Sequence, residues 1–249
     1  MKISLITVCY NSESTIQETL ESVKEQNYPE LEYIIIDGLS SDKTLSIINL
    51  YKDIVTKIIS EKDKGIYDAI NKGIKISTGS IVGILNSDDT FNDSTVLKNV
   101  GEKFENRNIG VLWGDVVFVN KSDKIVRYYS GENISPKSFD NGIMPPHPSV
   151  FIKKEIYLKL GDFNLKYQIA SDYELLLRVL RIKKIDYDYI PKIIVRMKLG
   201  GVSNNNIYSI FKLNKEIYQI HSSHNLPISI YSLLKKIPYR LRELLRTKL

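Results

Sequence analysis

The 249-residue sequence holds a single cysteine, Cys9, so no disulfide can close within the chain and no cysteine-based zinc site can form. One isolated thiol fits a reducing compartment. Long apolar runs are also missing. The N-terminal run Ile3–Cys9 is too short for the apolar part of a secretion signal and passes straight into Asn11-Ser12-Glu13. No later stretch reaches the ~18 uncharged apolar residues that a membrane span needs. These absences lead us to expect a cytoplasmic protein. Neither G-x-G-x-x-G nor a Walker pattern occurs, which disfavours the familiar dinucleotide-binding and P-loop folds. The chain also lacks an internal repeat and a low-complexity linker.

The net charge of +6 and the isoelectric point near 9.1 suggest nucleic acid only until the charge is located. Residues 227–249 contain Lys235, Lys236, Arg240, Arg242, Arg246 and Lys248 against one acid, Glu243, a net +5. Residues 1–226 are therefore close to neutral, as an enzyme domain usually is, and no nucleic-acid partner is expected. With 43% hydrophobic and 26% charged residues, the chain can bury a core of ordinary soluble type.

What is present is a rhythm of short β-branched runs and helical patterns. Ile3–Cys9 is followed by Ile16/Leu20/Val23, Leu31–Asp37 by Leu45/Ile48, the run 54–59 by Ile66/Ile70/Ile74, and then comes the run 81–86. Such alternation predicts βαβ units and an α/β domain built on a mainly parallel sheet. Ligands of open α/β sheets bind beyond the carboxyl ends of the strands. The polar residues that follow each run are Tyr10-Asn11-Ser12, Asp37-Gly38, residues 61–65 and Ser87-Asp88-Asp89, and all are expected on one edge.

Further along, Val111–Val119 and 124–129 read as a hairpin. Met144-Pro145-Pro146-His147-Pro148 reads as an extended loop in which three prolines rule out regular helix. A short helix is expected over 153–160 with Gly161 ending it, and Ala170-Ser171-Asp172 opens another. A strand over 185–196, a turn at Gly200-Gly201, a break at Asn204-Asn205-Asn206 and a helix over 207–221 complete the reading. The predicted organisation is an α/β domain over 1–203 and a helical extension over 204–249, basic and amphipathic from 227.

Asn86-Ser87-Asp88-Asp89 places two carboxylates at the exposed end of a strand, a cluster suited to a hard cation such as Mg²⁺ or Mn²⁺. The same pair serves equally well as a turn and helix cap. Asp37, ending its strand, can accept hydrogen bonds from a base or ribose, or close an Asx turn into Gly38.

Five stretches together resemble glycosyltransferase family 2, with the GT-A fold, and specifically its bacterial surface-polysaccharide branch. They are Thr7-Val8-Cys9-Tyr10-Asn11-Ser12, residues 34–44 around Asp37-Gly38, Asp63-Lys64-Gly65-Ile66-Tyr67-Asp68-Ala69-Ile70-Asn71-Lys72-Gly73, Leu85-Asn86-Ser87-Asp88-Asp89, and Ala170-Ser171-Asp172-Tyr173-Glu174. With Gly200-Gly201-Val202-Ser203 they span residues 3–203. The resemblance implies a Rossmann-like GT-A domain and inverting transfer of a sugar from a nucleotide-sugar donor, with UDP as the nucleotide. It implies that Thr7, Tyr10 and Asn11 line the donor site, that Asp37 binds the nucleobase, and that Lys64 and Asn71 line the nucleotide pocket. Asp88 would support the donor sugar or ribose, and Asp89 would coordinate the Mg²⁺ or Mn²⁺ that neutralises a diphosphate leaving group. Asp172 matches the catalytic base, and capping the helix that it begins is the other reading of its side chain. The acceptor would be a glycan or lipid-linked saccharide of a bacterial surface polysaccharide such as O antigen or capsule. Asp-Gly stands where the family often has two acids, and Ser171 where an acid often precedes the base.

His147 matches a position where the family often has histidine, facing acceptor or phosphate; closing the loop by hydrogen bonding is the other reading. His221 and His224 are expected at a solvated helix end. Ile230, Leu233, Leu234, Ile237, Leu241, Leu244 and Leu245 recur at helical spacing, with basic residues largely between them and Pro238 as a kink. This segment resembles an interfacial helix for an anionic membrane surface, which would make the protein peripheral on the inner face of the membrane. A helix packed on the domain or on a second subunit is the alternative. Two rival functions share parts of the pattern. A sugar-phosphate nucleotidyltransferase should carry a Gly-rich basic loop after its first strand, unlike Tyr10-Asn11-Ser12-Glu13, and a non-catalytic nucleotide or glycan module would have no use for Asp89 and Asp172.

Overall fold

A computed structural model describes residues 1–198 and 207–228. The Gly200-Gly201-Val202-Ser203 turn, the Asn204–Asn206 break and all the apolar positions of the tail from Ile230 onward lie outside the described residues. Nine strands among them form one sheet: β1 (Ile3–Cys9), β2 (Leu31–Asp37), β3 (Lys57–Ser60), β4 (Ile81–Ile84), β5 (Asp89–Phe91), β6 (Val111–Val119), β7 (Ile125–Tyr129), β8 (Phe151–Lys153) and β9 (Tyr187–Lys198). The order is β3-β2-β1-β4-β8-β6-β9-β5, with β7 paired to β6. The first four strands are parallel, as their βαβ rhythm requires, while β8, β5 and β7 pair antiparallel. The run 54–59 becomes strand only from Lys57, because Ile54 and Val55 donate their N–H groups to Tyr51 O and so belong to a turn.

Period-two alternation sends β1 and β2 side chains into two separate cores. Leu5, Tyr33 and Ile35 meet one face of the sheet, where α1 (Ile16–Lys24) and α4 (Val96–Asn106) add Leu20, Val23, Val100 and Phe104. Ile6, Val8, Ile34 and Ile36 meet the other, covered by α3 (Ile66–Ile76), α6 (Ser171–Leu176) and α7 (Ile207–Ser223). Both faces are thus buried, which is why the strands read as unbroken apolar runs. Each fully buried Ile or Leu contributes roughly 1.5–3 kcal/mol.

The remaining α-helices are α2 (Thr44–Ile48) and α5 (Lys154–Leu160), short 3₁₀ turns cover Asn49–Tyr51, Pro136–Asn141 and His147–Ser149, and Gly161, with φ +90°, ends α5 as expected. After Leu176 the chain continues as one π-helical segment, Leu177–Ile182. At the edge where the parallel strands begin, Glu32 is satisfied by Ser4, Thr78 and Lys57. Burial alone would raise the Glu32 pKa, but these bonds outweigh it and draw it down to about 2. No helix among the described residues is long and apolar enough to cross a membrane.

Candidate active site

Because β1, β2, β3 and β4 run parallel, their carboxyl ends share one edge, and a cleft of about 530 Å³ opens there. Tyr10, Asn11 and Ser12 after β1, Asp63 and Gly65 after β3, Ser87 and Asp88 after β4, and Lys198 at the end of β9 line it. Asn11 adopts φ +48°, a left-handed conformation that Asn tolerates. Its amide oxygen accepts Ser41 N–H at 2.9 Å, while its own N–H donates to Ser40 Oγ at 2.8 Å. The β1 and β2 loops are thereby tied together. Gly65, at φ +119°, turns the chain into α3 where few side chains could follow.

Of the residues expected at the donor site, Tyr10, Asn11 and Asp88 face the cleft; the others lie elsewhere. Thr7 is fully buried against the Tyr33 hydroxyl at 3.0 Å. Asp37 is also fully buried. Its oxygens accept Ser40 N–H at 3.0 Å, Ser40 Oγ at 2.5 Å, Ser60 Oγ at 2.6 Å and the Cys9 thiol at 3.6 Å. It is the knot of the loop that follows β2. Burial, seconded by Asp37, pushes the Cys9 thiol far up, so Cys9 is an inert core group. Lys64 is exposed, and its backbone N–H donates to Asp68 Oδ2 at 2.9 Å. Asn71 bonds Phe163 at both ends of its amide, Nδ2 to Phe163 O at 2.9 Å and Oδ1 from Phe163 N at 3.0 Å, which fastens α3 to the loop after α5.

The two neighbouring acids separate sharply. Asp88 is half-buried and lines the cleft, whereas Asp89, expected as an exposed strand-end acid, is 1% exposed. Asp89 opens β5, where successive side chains point to opposite faces, and this pairing carries it inward. Asn86 Nδ2 reaches its Oδ2 at 3.1 Å, and its Oδ1 is buried with no hydrogen-bond partner among the described residues. Burial, then the Asp88 charge, pushes Asp89 well above the usual carboxylate range; burial also raises Asp88, with Lys198 opposing. A hard divalent cation suits such a pair of carboxylates. No group of three or more His, Cys, Asp or Glu surrounds one point among the described residues. The donor set therefore matches a Mg²⁺-type ion that takes one or two carboxylates and completes its shell with phosphate oxygens and water.

Asp63 and Ser87, expected on this edge but given no role of their own, also line the cleft. Asp63 explains Gly38: a Cβ there would stand 2.6 Å from Asp63 Oδ2 and 3.3 Å from the Tyr10 ring. A side chain at position 38 would have to displace the Asp63 carboxylate, which itself lines the cleft.

Asp172 is not among the cleft-lining residues and is linked to the cleft through α3. Ile66 lines the cleft, and the next residue, Tyr67, donates its hydroxyl to Ile169 O at 2.8 Å and to Asp172 Oδ1 at 3.2 Å. Tyr173 N–H donates to the same Oδ1 at 2.7 Å. The N-cap of α6 is Ala170, so Asp172 sits in the first turn and is not the cap. Tyr67 stacks on Phe163 at 5.4 Å, and the half-buried His147 ring meets Phe163 edge-on at 5.7 Å. Burial lowers His147, the Asp172 charge pulls the other way, and the imidazole is neutral near pH 7.

The expectation of a solvated end for α7 is overturned. His221 is fully buried and bonds the Tyr173 hydroxyl through Nε2 at 2.8 Å, and His224 Nε2 lies 3.0 Å from Glu174 Oε1. The end of α7 docks on α6, and burial follows from that docking. Glu174 is held as well by Arg178, whose guanidinium also reaches Gly161 O and Asp162 O.

Comparison with known proteins agrees with this geometry. A "PGL/p-HBAD biosynthesis glycosyltransferase" of Mycobacterium tuberculosis is 24% identical over 206 residues, covering 81% of this chain and 78% of that protein. The structure of S. aureus TarS 1–349 superposes with a TM-score of 0.67 at 18% identity over 88% of this chain, which spans 65% of the TarS chain; that protein has also been solved with UDP-GlcNAc. A mannosyltransferase from Pyrobaculum calidifontis, solved with GDP-Man and Mn²⁺, superposes at 0.64 and 18% identity, covering 90% of this chain and 64% of that one. These likenesses identify the GT-A fold. The model of the family described as "Glycosyl transferase family 2" matches residues 4–169, from the first strand to the loop before α6, and with the cleft where that fold requires it the chain belongs to this family and is a glycosyltransferase.

Proposed function

We propose that this enzyme transfers a sugar, with inversion, from a UDP-sugar to a glycan or lipid-linked saccharide acceptor in bacterial surface-polysaccharide assembly. The observation that carries the reading is the adjacency of two unlike sites: a strand-end cleft with Asp63 and Asp88, and the Asp172 carboxylate joined to its α3 wall by Tyr67. Similarity to structures solved with UDP-GlcNAc and with GDP-Man and Mn²⁺ supports a nucleotide-sugar donor. The charge of residues 227–249 supports an anionic membrane surface as the place of work, each basic residue there contributing about 1 kcal/mol of attraction.

In this reading Tyr10, Asn11 and Asp63 receive the nucleotide, with Asp37 holding the loops beside them and Asn71 fastening α3, which forms one wall, to the loop after α5. Asp88 faces a divalent cation, with Asp89 behind it; such a cation, when bound, offsets the negative charge that develops on the departing diphosphate. Among the described residues both hydrogen bonds to the Asp172 carboxylate fall on Oδ1, which leaves Oδ2 to take the acceptor hydroxyl proton. The acceptor oxygen forms its bond to the anomeric carbon as the bond to the nucleoside diphosphate breaks, the electron pair leaving on phosphate oxygen. A single displacement inverts the anomeric centre and needs no covalent enzyme intermediate.

Asp172→Asn tests the reading. Asn retains an Oδ1 for Tyr67 and Tyr173, so folding and UDP binding are expected to persist, while turnover falls by roughly 10²–10⁴-fold because an amide cannot accept the proton. Near wild-type release of UDP by a variant that still binds UDP would assign the base elsewhere, with His147 the next residue to examine.

A further inference from the structure

One buried carboxylate has no part in the chemistry above. Glu216 lies in α7, 7% exposed, and accepts three consecutive backbone N–H groups: Gln168 on Oε1 at 3.1 Å, Ile169 and Ala170 on Oε2 at 2.9 Å each. Successive N–H groups turned towards one anion form a nest, and hydrogen bonds to a charged acceptor are about twice as strong as neutral ones. The anion here is a side chain 46 to 48 residues downstream. The gathered segment ends at Ala170, the N-cap of α6, two residues before Asp172.

Ile169 carries the effect onward. Its N–H is held by Glu216, and its carbonyl accepts the Tyr67 hydroxyl that also lies 3.2 Å from Asp172 Oδ1. A phenol has a single proton to donate. Where Glu216 sets Ile169 therefore decides how that proton divides between the carbonyl and the base.

We infer that Glu216 is a positioning residue for the transfer reaction, through which the C-terminal helix α7 aims the Asp172 carboxylate by way of Ile169 and Tyr67. The inference rests on the reading of Asp172 as the base. Other contacts keep α7 docked when this one is changed, including His221 with Tyr173 and His224 with Glu174. Glu216→Gln keeps the volume and one accepting oxygen but turns an amide NH₂ towards the nest.

The test uses the full chain, Mn²⁺ and a panel of UDP-sugars, with release of UDP as the readout and UDP alone as the binding probe. Glu216→Gln is expected to lower kcat roughly 10–100-fold, a share of the general-base contribution, with donor KM and UDP affinity within about twofold of wild type. Added to Asp172→Asn it is expected to cause no further loss, because both changes act on one group. Tyr67→Phe, which keeps the stack on Phe163, is expected to show the same pattern and serves if Glu216→Gln fails to fold. A wild-type kcat in Glu216→Gln, or losses that multiply in the double variant, would overturn the inference while Asp172→Asn remained slow. Wild-type turnover in Asp172→Asn would bring down the base reading and this inference with it.

Discussion

The division of labour between Asp88 and Asp89 can be separated by thermal denaturation without any acceptor. A ligand that binds only the native state adds RT ln(1 + [L]/Kd), about 2.7 kcal/mol at one hundred times Kd. For a chain of 150–250 residues each kcal/mol moves Tm by roughly 2–4 °C, so UDP with Mn²⁺ should raise Tm by about 5–11 °C. Asp88 faces the cleft and Asp89 does not. If Asp88→Asn weakens the Mn²⁺-dependent affinity a hundredfold, the same UDP concentration adds only about 0.4 kcal/mol and the shift shrinks to roughly 1–2 °C. The metal-free Tm of that variant should stay near wild type, because Asn has the size of the half-buried Asp88 and stands at the same cleft wall. Asp89 is the opposite case. Its buried carboxyl is pushed towards the neutral form, so Asp89→Asn should leave the metal-free fold intact. Asp89→Ala, which strips the partner from Asn86 Nδ2, should cost about 1–3 kcal/mol. Differential scanning fluorimetry with UDP, with and without Mn²⁺ and chelator, measures all of these. A full Mn²⁺-dependent shift in Asp88→Asn would place the cation elsewhere and refute the assignment.

Two more outcomes follow from the same geometry. Burial holds the folded His147 below its ordinary value, so the unfolded chain takes a proton near pH 6.5 that the folded chain refuses. Its contribution to stability is present above that pH and is lost as pH falls through it, and the drop in Tm between pH 7.5 and 5.5 should be smaller in His147→Gln; parallel Tm curves would contradict this. Deleting residues 227–249 should abolish binding to vesicles rich in anionic lipid while leaving UDP binding unchanged, and equal vesicle binding before and after the deletion would remove the membrane from the proposal.

Sequence alone determined the parts of this protein that depend on short-range pattern. The apolar runs Ile3–Cys9 and Leu31–Asp37 appear as strands with those bounds, because β-branched runs closed by polar loops have few other stable outcomes. Gly161 ends α5 for an equally local reason, its positive φ. That the polar loops after four strands share an edge follows from the parallel pairing that βαβ units impose, so the place of the cleft was legible in the chain. Tertiary structure decided which side chain at that edge does what. Asp88 and Asp89 are adjacent and alike in composition, and only the pairing of β5 with β9 sends one to the cleft and the other inward. Asp37 and Asn71 look like ligand groups in the chain, but Ser60 and Phe163, brought near by folding, take up their hydrogen-bonding capacity. His221 reads as a solvated helix end and is buried, since exposure of a helix terminus depends on what it docks against. Glu216 gives no local signal at all: its partners lie 46 to 48 residues away, and only the packing of α7 on α6 turns a helical glutamate into the anchor of the loop that carries Asp172.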